Sequence, residues 1–266
     1  MTVLDEILET KRDEVTMLHR PEVRDLLRTR ALEAPATRDF TAALRPEAGT
    51  IGVVAEIKRR SPSKGDLAPD LDPAVTAKAY AAGGATCLSV LTDRPYFGGT
   101  VDDLVDARAA CDLPVLRKDF TIDEVQIYEA RAIGADAVLL IVAALPDDAL
   151  LRDLHELASG LGLAVLVESH DDAELERALA TGARISGVNA RDLGTFAEDL
   201  GVGERLAAQV PADVVAVAES AIRSVDDAAR MAGAGFDAVL VGEMLVRSPD
   251  PTAAARGLAE VVRSPR

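Results

Sequence analysis

Residues 132–141 read AIGADAVLLI, a helix end running through one glycine into an unbroken apolar stretch. The chain repeats this passage three more times, as AGGATCLSVL (82–91), ATGARISGVN (180–189) and AGAGFDAVLV (232–241). The glycines at 84, 134, 182 and 235 recur about fifty residues apart, the mark of a repeated structural unit. Four further apolar runs lie between the repeats: IGVVAEIK (51–58), LPVLRKDF (113–120), GLAVLVES (162–169) and DVVAVAES (213–220). Amphipathic helical stretches separate the eight runs. Segments such as AVLLIVA are apolar on both faces, as parallel strands covered by helices must be. Eight regular units predict the α/β class and a closed (β/α)8 TIM barrel. The alternative, a doubly wound open sheet, is disfavoured because no GxGxxG follows the first strand and eight regular units suit closure.

Residues 1–48 precede the first strand. Leu4, Ile7, Leu8, Val15 and Leu18 fall largely on one helical face, so this segment is expected to be a helical extension packed on the barrel, with 1–266 forming one domain. The 266 residues are 48% apolar and 28% charged, enough to bury a sizeable core. With 29 basic against 45 acidic residues and a formal net charge of −16, neither nucleic acid nor an anionic membrane is expected as a partner. Cys87 and Cys111 offer no disulfide framework, which fits a reduced, cytoplasmic location. His19, His155 and His170 stand at no ligand spacing, so no metal is expected. No signal-like segment opens the chain, and no run is long enough to span a bilayer.

Inward positions of a barrel strand share parity, and active sites of this fold sit at the C-terminal strand ends. On that rule Val54 leads to Glu56 and Lys58, Leu116 to Lys118 and Phe120, and Leu166 to Glu168. Gly187 leads to Asn189 and Arg191, and Val217 to Glu219. Any one of these could be a strand end meeting water, but five apolar rows ending in charged or amide groups point to a shared mouth. Opposite charges in such a mouth shift one another's pKa. The loop AEIKRRSPSKG (55–65) gathers Lys58, Arg59, Arg60 and Lys64 in an acidic chain and adds Ser61, which reads as a local anion trap. The last two strand ends, AESAI and LVGEM, are where this fold commonly holds phosphate on backbone N–H groups. A phosphorylated substrate is therefore expected. Tyr96, Phe97 and Phe120 follow the second and third strands, where a flat ring could lie, although loop anchors would use the same residues.

In order and spacing, AEIKRRSPSKG, SVLTDRPYFGG, PVLRKDFTID, YEARAIGADAVLLI, LVESHDDAELERAL, GVNARDLGTF and VAESAI resemble the successive strand-end motifs of the indole-3-glycerol phosphate synthase family. The likeness covers nearly the whole chain. It implies a decarboxylating carbon–carbon lyase of tryptophan biosynthesis, which closes the ring of 1-(o-carboxyphenylamino)-1-deoxyribulose 5-phosphate and removes CO2 and water without a cofactor. Carried over by motif position, it implies Lys118 as general acid at the ketone, Glu168 as base in the dehydration, and Lys58 as a second acid or anion partner. Glu56, Asn189, Ser220 and Glu219 would orient these groups and the substrate. Ser61, Phe97, Phe120, Leu139 and Arg191 are expected around the substrate, and the phosphate on Lys58, Ser220, Ala221, Gly242, Glu243 and Met244. Association with other tryptophan-pathway enzymes is left open.

Two positions depart from the commoner family pattern, ESA for ESG at 219–221 and GEM for GES at 242–244. An added methyl and a lost hydroxyl imply either a weakened phosphate site or one built on backbone N–H groups, which side chains leave intact where φ stays negative. The second reading is preferred because every implied acid and base is present. Rival readings are phosphoribosylanthranilate isomerase, whose family places a cysteine at the end of the first strand, and an aldolase forming a Schiff base through Lys118. A catalytically silent phosphosugar-binding barrel would lack Lys118 or Glu168.

Overall fold

The four repeated glycines all lie in the left-handed region, with φ of 89° at Gly84, 86° at Gly134, 80° at Gly182 and 98° at Gly235. Each stands one residue past a helix C-cap and turns the chain into the next strand, a termination that a Cβ would strain. The repeat in the sequence is thus a repeated helix stop. The computed structural model describes residues 2–192 and 197–264; of the motif GVNARDLGTF, residues 193–196 lie outside them.

Eight parallel strands follow one another around a closed barrel: β1 (Gly52–Ile57), β2 (Cys87–Leu91), β3 (Val115–Lys118), β4 (Ala137–Ile141), β5 (Ala164–Ser169), β6 (Ile185–Asn189), β7 (Val215–Glu219) and β8 (Ala238–Val241). β1 pairs with both β2 and β8, which closes the sheet. Three helices precede it, α1 (Val3–Leu18), α2 (Pro21–Glu33) and α3 (Phe40–Ala43). The strands alternate with α4 (Pro73–Ala82), α5 (Arg94–Phe97), α6 (Val101–Ala110), α7 (Glu124–Ala132), α8 (Asp148–Gly160), α9 (Asp172–Ala180), α10 (Leu200–Ala207) and α11 (Val225–Gly233); α12 (Glu243–Val246) and α13 (Pro251–Ala259) follow β8.

Strand parity sorts the core into two layers. Val54, Leu116, Leu139, Leu166, Val217 and Leu240 fill the barrel, while their neighbours Val53, Val115, Leu140, Val167 and Val239 pack outward under the helices. Each fully buried side chain of this kind contributes roughly 1.5–3 kcal/mol.

The extension before β1 serves three places rather than one. α1 buries Ile7, Leu8 and Val15 and lies at the mouth, where Val3, Leu4 and Ile7 line the cleft. α2 packs along α7. Phe40 and Leu44 enter the barrel interior itself. Arg45 and the Arg38 backbone then bind two buried carboxylates at the strand starts, Asp237 at 2.9 Å and Asp136 at 2.8 Å. Removing residues 1–48 would therefore open the floor as well as the mouth. No described helix is long and apolar enough to cross a membrane.

Candidate active site

The strand ends bring the polar residues to one rim around a cleft of about 1160 Å³, open mouth included. At its centre Lys118 Nζ donates to Glu168 Oε2 at 3.0 Å and, in a shorter contact, to Glu219 Oε2. Asn189 Nδ2 donates to the other Glu168 oxygen at 3.0 Å. Both glutamates are only 2% exposed, so the protein rather than water sets their charge. Burial opposes charge on Lys118, yet Glu168, Glu219 and Glu56 outweigh it and hold the ammonium well above the ordinary lysine value.

The two carboxylates do not share that ammonium equally. Burial would raise Glu168, but Lys118, His170 and the Asn189 amide hold it well below the usual carboxylate range. Glu219 is pushed up to about 8 by burial and by the neighbouring Glu168 charge, against the pull of Lys118. Its Oε1 has no hydrogen-bond partner among the described residues. The rim therefore sets an ammonium in direct contact with two buried carboxyl groups whose acidities are driven apart, Glu168 downward and Glu219 upward.

Lys58 donates to Glu56 Oε1 at 2.7 Å. Buried Glu56 still stays below its usual range, because Lys58 and Lys118 outweigh the cost of burial. A Cβ on Gly242 would stand 2.4 Å from Glu56 Oε1 and 2.9 Å from Lys58 Nζ, so the end of β8 lies directly against this pair. The rest of the basic loop departs from the expected anion trap. Arg59 turns onto both oxygens of Asp103 and onto the carbonyls of Gly98 and Leu71. Arg60 and Ser61 pair with residues 65–66 in a small ribbon, and Lys64 is exposed. Ser61 does not line the cleft; its hydroxyl is buried with no partner among the described residues. Of the four basic side chains only Lys58 lines the cleft, because the chain leaves β1 after Ile57 and turns Arg60 into the ribbon.

The apolar side of the cleft carries Phe97, Phe120 and Leu139, with the two rings 6.2 Å apart and tilted by 38°. Tyr96 is an anchor instead, its hydroxyl meeting Thr10 Oγ1 at 2.9 Å and donating to the Glu6 carbonyl at 3.2 Å. Arg191 lines the cleft but is engaged, donating from Nε to Glu198 Oε1 at 3.0 Å and from a terminal nitrogen to Ser63 Oγ at 2.9 Å.

Three functional candidates escaped the sequence reading: Lys11, Glu198 and His170. Lys11, 2% exposed, joins α1 to the barrel through Asp93 at 3.1 Å and Asp119 at 2.9 Å, and meets Glu14 of its own helix at 2.7 Å. Burial opposes charge on Asp119, yet Arg117 and Lys11 bring it down to about 2. Asp119 directly follows Lys118, so this node sets both α1 and the end of β3. Lys11→Met should cost about 3–5 kcal/mol by leaving Asp93 and Asp119 facing one another. It should also raise KM more than it lowers kcat, because Leu4 and Ile7 lose their place in the cleft. Thermal unfolding and steady-state kinetics check this; an unchanged KM in a folded variant would detach α1 from the substrate site.

Glu198 binds both Arg191 and Arg223. His170 carried a usable signal: it shares strand parity with Glu168 and stands four residues before Glu174, and its ring lies between the two. Among the described residues no three His, Cys, Asp or Glu side chains converge as metal ligands.

The family model described as indole-3-glycerol phosphate synthase matches residues 4–258. The indole-3-glycerol phosphate synthase of Laribacter hongkongensis is 51% identical over 255 residues, covering 95% of this chain and 97% of its own. That of Streptomyces griseus is 49% identical over 258 residues, covering 97% and 95%. The chain belongs to the indole-3-glycerol phosphate synthase family. Solved structures of a thiamine phosphate pyrophosphorylase from Pyrococcus furiosus (TM-score 0.61, 18% identity, 84% of this chain and 98% of that one) and an N-acetylmannosamine-6-phosphate 2-epimerase from Clostridium perfringens (0.62, 13%, 79% and 92%) share the fold alone.

Against the commoner indole-3-glycerol phosphate synthase pattern, the two departures near the last strand ends resolve differently from each other. Ser220 and Ala221 both have positive φ, 65° and 59°, so the expectation of negative φ at this turn is wrong. The turn retains the conformation that glycine would take and holds two ordinary residues in it under strain. Ala221→Gly should therefore stabilise the fold by about 1 kcal/mol, the usual left-handed penalty, and change KM by only a few-fold. A lower thermal midpoint would contradict this. Met244 does not line the cleft; its side chain packs under the outer layer, so only its backbone remains near the rim. Gly242→Asp would not isolate charge repulsion, since any Cβ there meets Glu56 and Lys58.

Proposed function

We propose that this rim performs the family's reaction on 1-(o-carboxyphenylamino)-1-deoxyribulose 5-phosphate, with Lys118 as acid and Glu168 as base. One observation carries the assignment: the Lys118 ammonium held between the buried carboxyl groups of Glu168 and Glu219 beside an apolar wall. Attack of the aromatic ring on the ketone builds negative charge on oxygen. A fixed ammonium stabilises that charge more than the neutral ketone, and gives up its proton only to the more basic alkoxide. Loss of CO2 returns the breaking bond's electron pair to the ring. Dehydration then removes a hydroxyl, which leaves with a proton, and a ring proton, which Glu168 takes.

Phe97, Phe120 and Leu139 suit the aromatic half of the substrate. Lys58 and the backbone N–H groups of Ser220, Ala221, Gly242 and Glu243 suit its phosphate, with Met244 offering a backbone N–H alone. Glu56 orients Lys58, Asn189 orients Glu168, and Arg191 closes one side of the cleft.

The rivals fit less well. A Schiff base needs a neutral amine, and the carboxylates around Lys118 hold it as the ammonium against the opposing effect of burial. Neither cysteine stands at the rim: Cys87 lies inside the barrel with its thiol pushed up by burial, and Cys111 follows α6. A silent barrel would not retain both Lys118 and Glu168. Indole-3-glycerol phosphate fluorescence should appear when purified protein meets the substrate, and borohydride should trap no adduct; a folded protein giving no fluorescence would overturn the reading.

A further inference from the structure

We propose that His170 is a positioning residue that keeps Glu168 ionised and aimed into the cleft after Lys118 has given up its proton. The inference rests on the reading of Glu168 as base. His170 follows β5 directly and precedes the Asp171 cap of α9. Its backbone N–H and its Nδ1 both meet Glu174 Oε2, at 2.8 and 2.9 Å. Glu174 is itself fixed in the first turn of α9, where its N–H donates to Asp171 Oδ1 at 2.9 Å. The ring therefore cannot turn freely, and its second nitrogen is directed inward. That nitrogen, Nε2, is buried, lies 3.4 Å from Glu168 Oε1 and has no hydrogen-bond partner among the described residues.

At 3.4 Å the contact is a charge pair more than a formed hydrogen bond. The charged groups that face the ring are Glu168 from β5 and Glu174 from α9; Lys118 from β3 and the Asn189 amide from β6 hold the far side of Glu168. Burial disfavours the imidazolium, but the two glutamates override it and push the ring up to about 10. His170 is thus a second cation on Glu168.

The reaction sequence gives that cation a purpose. Lys118 protonates the alkoxide during ring closure and becomes neutral. Glu168, only 2% exposed, would then lose its main counter-charge and take up a proton before the dehydration needs it as a base. The imidazolium is not consumed by ring closure and preserves the carboxylate through that interval. Glu174 in turn maintains the imidazolium.

The test compares kcat, KM and the pH dependence of kcat for His170→Asn, His170→Gln and Glu174→Gln in the full chain. Asparagine retains a group near Nδ1 and removes the Nε2 side; glutamine retains a neutral donor near Nε2. Loss of such an outer partner should lower kcat on the order of 10-fold or more, with KM within a few-fold. A carboxylate stripped of a neighbouring cation protonates at higher pH, so the acidic limb of kcat should move to higher pH in both His170 variants. Glutamine should recover part of kcat without restoring the limb. Glu174→Gln weakens the hold on the ring proton and should introduce a loss of kcat on the basic side.

A merely structural His170 would alter yield or thermal midpoint and leave the limbs in place. An unmoved acidic limb in folded His170→Gln, with Glu174→Gln also unchanged, overturns the proposal. Glu168→Gln separates this failure from that of the underlying assignment: if it retains activity, Glu168 is not the base, whatever the His170 variants do.

Discussion

Lys118→Ala should lower kcat by ~10²–10⁴, the range for loss of a positioned acid, while the barrel still folds. The removed ammonium touches Glu168 and Glu219 and also draws down Glu56, so its loss reaches all three carboxylates. With no ammonium to draw it down, Glu219 rises further above its ordinary value, while His170 and the Asn189 amide still hold Glu168 down. The sign of the stability change follows. A carboxyl group whose folded value lies above the unfolded one contributes stability that is present at low pH and lost as pH rises through the folded value. That contribution is larger in the variant. Lys118→Ala should therefore lose more stability than the parent between about pH 5 and about pH 8, when measured by thermal unfolding. Activity within a few-fold of the parent would remove Lys118 from the mechanism. A variant whose stability falls no more than the parent's over that range would show that Glu219 does not depend on its charge.

Strand parity made most of this site legible. Once eight strands are assigned, the rule that every second residue points inward places Glu56, Lys118, Glu168, Asn189 and Glu219 at one rim, because closure leaves the strands no freedom to do otherwise. The repeated glycines were equally legible, since a left-handed helix stop imposes a residue type at a fixed offset. Lys11 was not, because a lysine on an amphipathic helix normally faces water; its burial depends on Asp93 and Asp119, more than eighty residues away in sequence. The same holds for Glu198, which acquires its purpose only when Arg191 and Arg223 converge on it. Phe40 and Leu44 read as part of a generic apolar extension, and only the barrel's open floor gives them a place. The basic loop misled for the opposite reason. Four charges close in sequence suggest one purpose, yet Arg59 serves Asp103 and only Lys58 reaches the cleft.

Glu168→Gln should lower kcat by a comparable ~10²–10⁴ but interrupt a different step. The amide has the shape of the carboxylate and its oxygen can still accept from Lys118 or Asn189, so the geometry of the rim persists. Lys118 also retains its charge. Loss of the Glu168 charge removes one of the causes that hold Glu219 up, so Glu219 ionises more readily and takes over as the counter-ion of the ammonium. The acid that serves ring closure thus survives the substitution, whereas the carboxylate assigned to take the ring proton is gone. Ring closure and CO2 release should proceed, and the cyclised, still hydrated intermediate should accumulate. A single turnover followed by CO2 release and by product fluorescence distinguishes the steps: CO2 should appear well before the indole signal. Slowed CO2 release followed by prompt dehydration would reverse the assignment, leaving Glu168 as the partner that orients Lys118 and directing the search for the base to Glu219 and Glu56.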